Sequence, residues 1–472
     1  MDVDQQRRTL IIGGGITGLA TAHALRKAGE RCVTVLESEA RVGGNIRTER
    51  RAGFVLDEGP DAWLVAKKDA TQLARDVGLG ARLVETNPRN RRAYLATDQE
   101  NRPLLPLPEG LMLGVPTRLT PMITTRILTA GAKVRAALDL VLPAGSGRRG
   151  AESDESIGDF IARRLGPQVR DRIAAPLLGG IHHGDVSTLS LQATFPHLAA
   201  LEAKGGLIRG SRRLAGGAPR GSSPFVSLLG GVGELVDALA ESLGARVQTG
   251  VRVTRVYRLP DGDVLGRYCA ETLAHGPLFA DELILAVPGH AAATMVRELD
   301  VTLSEALTTI TYASTATVFL AYQATEVSRP LDGVGYLVPP SLHRDVAGAT
   351  FISSKWPARA PIHTALFRVF FPSGEGRDVT DESDATLVDR SRAELRRALG
   401  IVASPHLTHV ARFSRATPVP LVGHLVRVAH IKSLVARNHG LHLVGSGFDG
   451  FGIGDCVRQA NELAATLTRR NA

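Results

Sequence analysis

Short apolar runs alternate with glycine turns at the start of the chain. Leu10-Ile11-Ile12 has the pattern of a buried strand, and Gly13-Gly14-Gly15-Ile16-Thr17-Gly18 carries it into a stretch that reads as a helix. Val33-Thr34-Val35-Leu36 is a second apolar strand, and it ends on Glu37. Further strands are predicted at Val251-Arg252-Val253-Thr254-Arg255-Val256, where apolar and polar positions alternate, at Leu283-Ile284-Leu285, and at Leu441-His442-Leu443-Val444 ahead of a C-terminal helix. Residues 308–406 hold longer strands, among them Thr317-Val318-Phe319-Leu320-Ala321-Tyr322 and Leu366-Phe367-Arg368-Val369-Phe370-Phe371. Residues 123–142 have helical spacing, whereas 146–153 and 205–223, rich in Gly, Ser and Arg, predict loops.

Taken together, the patterns predict an α/β and α+β chain in three parts. A discontinuous Rossmann-like nucleotide-binding domain draws on residues 1–85, 225–300 and 410–472. A substrate domain with a mixed sheet takes 86–100 and 301–409, and a helical lid or membrane-contact domain takes 101–224. At 472 residues the chain exceeds what a single core organises.

Gly13, Gly15 and Gly18 stand at G-x-G-x-x-G spacing between strand and helix, with Gly14, Ile16 and Thr17 between them. The first glycine permits the turn, the second admits a pyrophosphate, and the third lets helix pack on strand. The pyrophosphate then meets free N–H groups at the positive end of the helix. Glu37, with Ser38 behind it, follows Gly18 by nineteen residues, where a carboxylate accepts from ribose hydroxyls. Arg41-Val42-Gly43-Gly44-Asn45 adds two glycines and a cation for the same pyrophosphate, which narrows the nucleotide to a permanently held flavin, FAD. Gly59-Pro60-Asp61-Ala62, after the strand-like Phe54-Val55-Leu56-Asp57, is a slim turn against which an isoalloxazine can lie. Gly445-Ser446-Gly447-Phe448-Asp449-Gly450 repeats the glycine spacing, but a second nucleotide would need a further strand and acid. It is read instead as a turn that aims the N–H groups of Phe451, Gly452 and Ile453 at the flavin, favouring negative charge on the reduced ring.

Bulk properties exclude more than they add. A net charge of +9 favours anionic partners, but aromatics are only 4% of the chain and no basic stripe interleaves with them, so nucleic acid is not expected. Three scattered cysteines, Cys32, Cys269 and Cys456, make neither a disulfide framework nor a metal site. The polar residues 1–8 leave no room for a secretory apolar segment, so a cytoplasmic, reducing location is expected. Arg118, Arg126, Lys133 and Arg135, on the segment 104–145, could face an anionic membrane surface.

Three blocks carry a closer resemblance. They are the N-terminal run through Gly59-Pro60, then Pro176-Leu177-Leu178-Gly179-Gly180-Ile181-His182-His183-Gly184-Asp185, then Gly450-Phe451-Gly452-Ile453-Gly454-Asp455-Cys456. In this order, over nearly the whole length, they resemble the porphyrinogen oxidases among the FAD-dependent, amine-oxidase-like flavoproteins. The resemblance implies oxygen-dependent, six-electron oxidation of protoporphyrinogen IX to protoporphyrin IX in haem or other tetrapyrrole synthesis, with three hydride transfers to flavin N5 and hydrogen peroxide released. Coproporphyrinogen III is the alternative substrate. It also implies that Arg92, with Arg91 beside it, pairs with a substrate propionate, that Gly180 leaves room for the macrocycle, and that Trp356 and Leu337 sandwich it. Val253 is implied as an adenine contact, and a homodimer as the assembly. The chain departs from the family at His182-His183, and at Pro418-Val419-Pro420 ahead of Gly423-His424. A desaturase, an amine oxidase and a non-catalytic flavin-bound protein are the competing readings.

Overall fold

A computed structural model of the chain describes residues 7–112, 114–143, 154–182, 184–203, 205–216, 223–374 and 376–469. Five strands form one parallel sheet, in the order Val247–Gln248, Val33–Leu36, Thr9–Ile12, Glu282–Leu285, Leu441–Leu443. Segments far apart in sequence therefore share one sheet, with near-continuous apolar strands as burial on both faces demands. One face packs against the helices Ile16–Lys27, Gly233–Leu243 and Ile453–Arg469 around Leu19, Val35, Leu239 and Val457. The other is covered by an antiparallel sheet containing Val253–Arg258 and by the helices Gly289–Val296 and His424–Val435.

A seven-stranded mixed sheet lies beside it. Its order is Leu407–Pro418, Tyr312–Gln323, Thr364–Pro372, Gly348–Phe351, Gly333–Leu337, Arg92–Ala96, Leu104–Pro106. Residues facing one way, including Val318, Phe367, Val369, Tyr336 and Tyr94, are sealed by the helix Asp384–Leu399. The other face looks toward the turn at Gly59 and the helical region.

The helical region is built from short helices around Phe160, Ile173, Leu178 and Leu198. Its buried Asp139 accepts from Arg164 Nε at 2.7 Å and from the Ile208 backbone N–H at 2.8 Å. That second bond starts the helix Leu207–Gly216, which replaces part of the loop expected over 205–223. The loop expected over 146–153 lies outside the described residues. Helical spacing over 123–142 resolves into the helix Ala130–Ala137, a tight turn Leu138–Leu140, and the shorter helix Leu119–Thr124 before them. Phe225–Leu228 pairs antiparallel with Trp63–Leu64 and Leu83–Glu85, apart from the parallel sheet.

Candidate active site

The nucleotide cradle starts at the end of the strand Thr9–Ile12. Gly13 has φ +112°, and a Cβ there would stand 2.6 Å from the Ala286 carbonyl oxygen; at Gly18 it would stand 2.0 Å from that of Gly13. Both glycines are thus dictated by packing. Gly15 differs, because a Cβ there would meet nothing within 4 Å. No side chain caps the helix that begins at Ile16, so its first N–H groups open onto the same space. Gly44 lines the other side, with Gly15 Cα 3.5 Å from where its Cβ would be. Glu37 accepts from the Gly14 N–H at 2.8 Å and from Glu39 N–H at 2.9 Å, with the Ser38 hydroxyl at 3.2 Å. An open, anion-attracting cradle beside a fixed carboxylate fits the ADP half of FAD.

Arg41 plays a different part from the expected one. Its guanidinium donates to the Val42 carbonyl at 2.9 Å and the Gly44 carbonyl at 2.8 Å, so it braces the glycine loop. Burial, and then Arg47, press its pKa down. Val253 is buried in the sheet core, and the nearby Val251 N–H donates to the Glu37 carbonyl at 2.9 Å, tying this stretch to the carboxylate-bearing strand end.

The flavin seat continues through Asn45 to Gly59, where a Cβ would stand 1.9 Å from the Asn45 carbonyl oxygen. Asn45 in turn donates to the Ala416 carbonyl at 2.9 Å. The half-buried turn Gly59, Pro60, Asp61, Ala62 rests on a cluster of buried charges. Asp57 meets Arg359 at 3.1 Å, Glu58 meets Arg47 at 3.1 Å and His409 at 2.5 Å, and Asp61 accepts from Lys355 at 2.6 Å. Burial opposes ionisation of Asp61, yet Lys355 and Arg368 outweigh it and hold its pKa at about 2.

The C-terminal turn corrects another expectation. The N–H groups of Phe451 and Gly452 point to Asp455 Oδ2, at 3.2 and 3.3 Å, and Lys67 pairs with the same carboxylate. An acid at the third position of the helix caps its own start, leaving the N–H groups of Ile453 and Gly454 for a ligand, since those of Asp455 and Cys456 donate to the Gly452 carbonyl. Cys456 is buried against Thr17, and burial pushes its thiol up to about 11, so no thiolate is available for covalent attachment.

Pairing register defines the substrate wall. Residues directly opposite in a sheet share a face, which puts Leu95, Leu337, Gly348, Phe370, Thr317 and Ala411 in one row. Leu337 lies in this row, half-buried. Arg92 does not: it shares the opposite face with Tyr94, is 61% exposed, and pairs with Asp332 at 3.0 Å. Arg91, one residue before the strand Arg92–Ala96, is exposed. Trp356 is 1% exposed and donates its indole N–H to Asp61 at 2.8 Å, so it props the flavin turn and presents no ring for stacking. The aromatic in the row is Phe370, half-buried beneath the Arg368 guanidinium at 4.7 Å.

Facing the cleft, a π-helical segment Arg170–Gly179 delivers Gly180. Gly180 has φ −62°, which any residue adopts, and a Cβ there would meet nothing within 4 Å. Its glycine therefore answers to something outside the fold. His182 is buried edge-on to Phe195 and to Phe451, at 5.5 and 5.3 Å, and His424 lies 5.6 Å from the same Phe451. Burial, and then Arg427, lower His424 to about 4, so it is neutral near pH 7. His183 lies outside the described residues, and among those described no cluster suits a metal ion.

A glycine cradle with a ribose acid and a slim turn on buried charges define an FAD-binding oxidoreductase. The chain belongs to the flavin containing amine oxidoreductase family, whose profile matches residues 16–468. It is 32% identical to the coproporphyrinogen III oxidase of Bacillus subtilis (strain 168), over 97% of each chain. It is 28% identical to the chloroplastic protoporphyrinogen oxidase of Oryza sativa subsp. japonica, over 97% of this chain and 88% of that one. A crystal structure from Exiguobacterium sp. 255-15, of a protein named for protoporphyrinogen oxidase, superposes with a TM-score of 0.85 at 31% identity, covering 98% of this chain and 99% of that one.

Proposed function

We propose that the chain oxidises a porphyrinogen to a porphyrin with molecular oxygen as final acceptor, and that coproporphyrinogen III is the preferred substrate over protoporphyrinogen IX. The row Leu95, Leu337, Gly348 and Phe370 carries the reading. It sets aliphatic, glycine and aromatic positions on one face of the sheet, with Leu337 and Phe370 half-buried, and in the helical region the Cβ position of Gly180 is open. A flexible, poorly soluble macrocycle fits between two such surfaces. Exposed Arg89 and Arg91, ahead of the strand Arg92–Ala96, suit a substrate carrying more carboxylates. Similarity to the B. subtilis coproporphyrinogen III oxidase, higher than to the rice protoporphyrinogen oxidase, supports the same choice.

FAD, when bound, supplies the redox chemistry, taking a hydride from a meso carbon. The protein's own residues orient and exclude water. Leu337 and Phe370 hold the macrocycle's apolar surface, Gly180 leaves it room, and Arg91 anchors a propionate. The matched blocks contain no acid and base dyad, so the pyrrole proton passes to solvent. Oxygen uptake and porphyrin fluorescence, followed with each porphyrinogen in turn, test the proposal. A higher kcat/KM for coproporphyrinogen III is expected; no turnover of either substrate by FAD-loaded protein refutes it.

We further propose that the helical region touches anionic membrane. Val134, Leu138 and Val141 follow at helical spacing and are exposed, as is Ile123, with Arg118 and Arg126 exposed nearby. Two of the expected basic contacts are occupied: Lys133 donates to the Ile123 carbonyl and Arg135 to the carbonyls that end the helix Ile157–Leu165. No helix among the described residues is long and apolar enough to cross a membrane.

A further inference from the structure

The three carboxylates under the flavin turn each have a cation of their own: Asp57 has Arg359, Glu58 has Arg47, and Asp61 has Lys355. A fourth cation, Arg368, shares the cluster without a carboxylate of its own. It is 5% exposed and donates Nη2 to the main-chain carbonyl of Glu58 at 2.5 Å, the residue directly before Gly59 and Pro60. Its guanidinium carbon lies 4.7 Å from the centre of the Phe370 ring and 5.5 Å from that of Phe319. Four guanidinium or ammonium groups thus stand among three carboxylates, one positive charge in excess. An unbalanced buried charge is costly unless something of opposite sign arrives.

We propose that Arg368 is a positioning residue of the redox centre, whose unbalanced buried charge offsets the negative charge that FAD gains on reduction while its guanidinium braces Phe370 on the substrate wall. The capping of the C-terminal turn strengthens the case. Asp455 takes up two of the donors that would otherwise meet the reduced ring, which leaves a larger share of the offsetting charge to other groups. Arg368 delivers it through the turn that carries the flavin. A point charge in a buried setting acts over several ångströms with little screening. The two oppositely signed neighbours make the proposal directional: removing Arg368 disfavours flavin reduction, and removing the Asp61 charge favours it.

The test uses full-length, FAD-loaded protein and two readouts that do not need substrate, the flavin midpoint potential and the dissociation constant for sulfite, which adds to oxidised flavin and creates the same negative charge. Arg368→Gln is expected to lower the potential and weaken sulfite binding by about tenfold or more. Arg368→Lys keeps the charge and holds both near the parent values, and Asp61→Asn moves both the opposite way. A parent-like potential and sulfite affinity in Arg368→Gln, or Arg368→Lys as impaired as Arg368→Gln, overturns the proposal. Should Arg368→Gln fail to fold, Asp61→Asn decides, because an unchanged or lowered potential there is incompatible with a charge role. The proposal rests on FAD alone, so failure of the porphyrinogen assignment shows in turnover and leaves these readouts intact.

Discussion

Trp356 donates its indole N–H to Asp61 at 2.8 Å, which joins the end of a substrate-domain helix to the flavin turn. Phe370, on the strand Thr364–Pro372, is half-buried and has the Arg368 guanidinium over its ring. The two aromatics therefore answer differently to substitution. Trp356→Phe loses a buried hydrogen bond and leaves Asp61 with one donor fewer, which costs about 1–2 kcal/mol of stability with little change in KM. Phe370→Ala removes part of the wall and raises KM for the porphyrinogen about tenfold. Thermal unfolding and steady-state kinetics on both variants check the split; the reverse pattern would return Trp356 to the substrate.

Gly180 offers a second contrast, between fold and function. Its helical φ and the open space around its Cβ position mean that Gly180→Ala stabilises the free protein by about 0.5–1 kcal/mol. If the macrocycle occupies that space, Gly180→Leu blocks it and cuts kcat/KM by at least tenfold while the protein stays folded and yellow. Parent-like kinetics in Gly180→Leu would show that the substrate lies elsewhere.

Adjacent arginines supply a third. Arg91 stands one residue before the strand Arg92–Ala96, and Arg92 shares a face with Tyr94 and pairs with Asp332. Arg91→Ala is expected to raise KM about tenfold with kcat held, the mark of a lost carboxylate contact. Arg92→Ala breaks an exposed pair worth under about 1 kcal/mol and changes KM less than twofold. Equal effects from the two would place both at the carboxylate.

These corrections have one physical origin. Gly13, Gly15, Gly18 and Glu37 were legible in the sequence because a turn, a helix start and a strand end are local, and spacing alone fixes what they offer. Which side of a strand a residue takes is not local. A shift of one residue reverses it, and Arg91 and Arg92 are separated by that single step. Phe370 was hidden for a related reason: Leu366 to Phe371 is apolar on both faces, so no alternation marks the side facing the cleft. The one signal was Arg368, two residues away and of the same parity. Trp356 was misplaced because its motif fixes position along the chain, whereas its partner Asp61 comes from a distant turn. The carboxylate of Asp455 was visible in the sequence; its fold-back onto Phe451 and Gly452 was not.

Membrane contact is tested by charge and by the exposed helical face together. Protein bearing Val134→Asp and Leu138→Asp is expected to lose co-sedimentation with vesicles containing phosphatidylglycerol at low salt, while unfolding at the parent temperature. Both side chains are more than 40% exposed, so the substitutions disturb little packing. Parent protein that stays in the supernatant would remove the proposal.

His424 makes stability depend on pH in a predictable direction. Its folded pKa, about 4, lies below the ordinary 6.5, because burial and then Arg427 oppose its charge. Between these values the unfolded chain binds a proton that the folded chain refuses. The stabilisation is therefore complete above pH 6.5 and is lost as pH falls toward 4, to the extent of roughly 3 kcal/mol. Asp61 contributes over a lower window, because its folded pKa of about 2 lies below the ordinary 3.8, so its share is present above pH 4 and is lost toward pH 2. Unfolding followed between pH 7 and 4 should show a loss of stability in the parent that His424→Gln reduces, since glutamine does not titrate, while His23, His197 and His290, which burial also lowers, keep part of it. An equally steep loss in both proteins would assign this pH dependence to other groups.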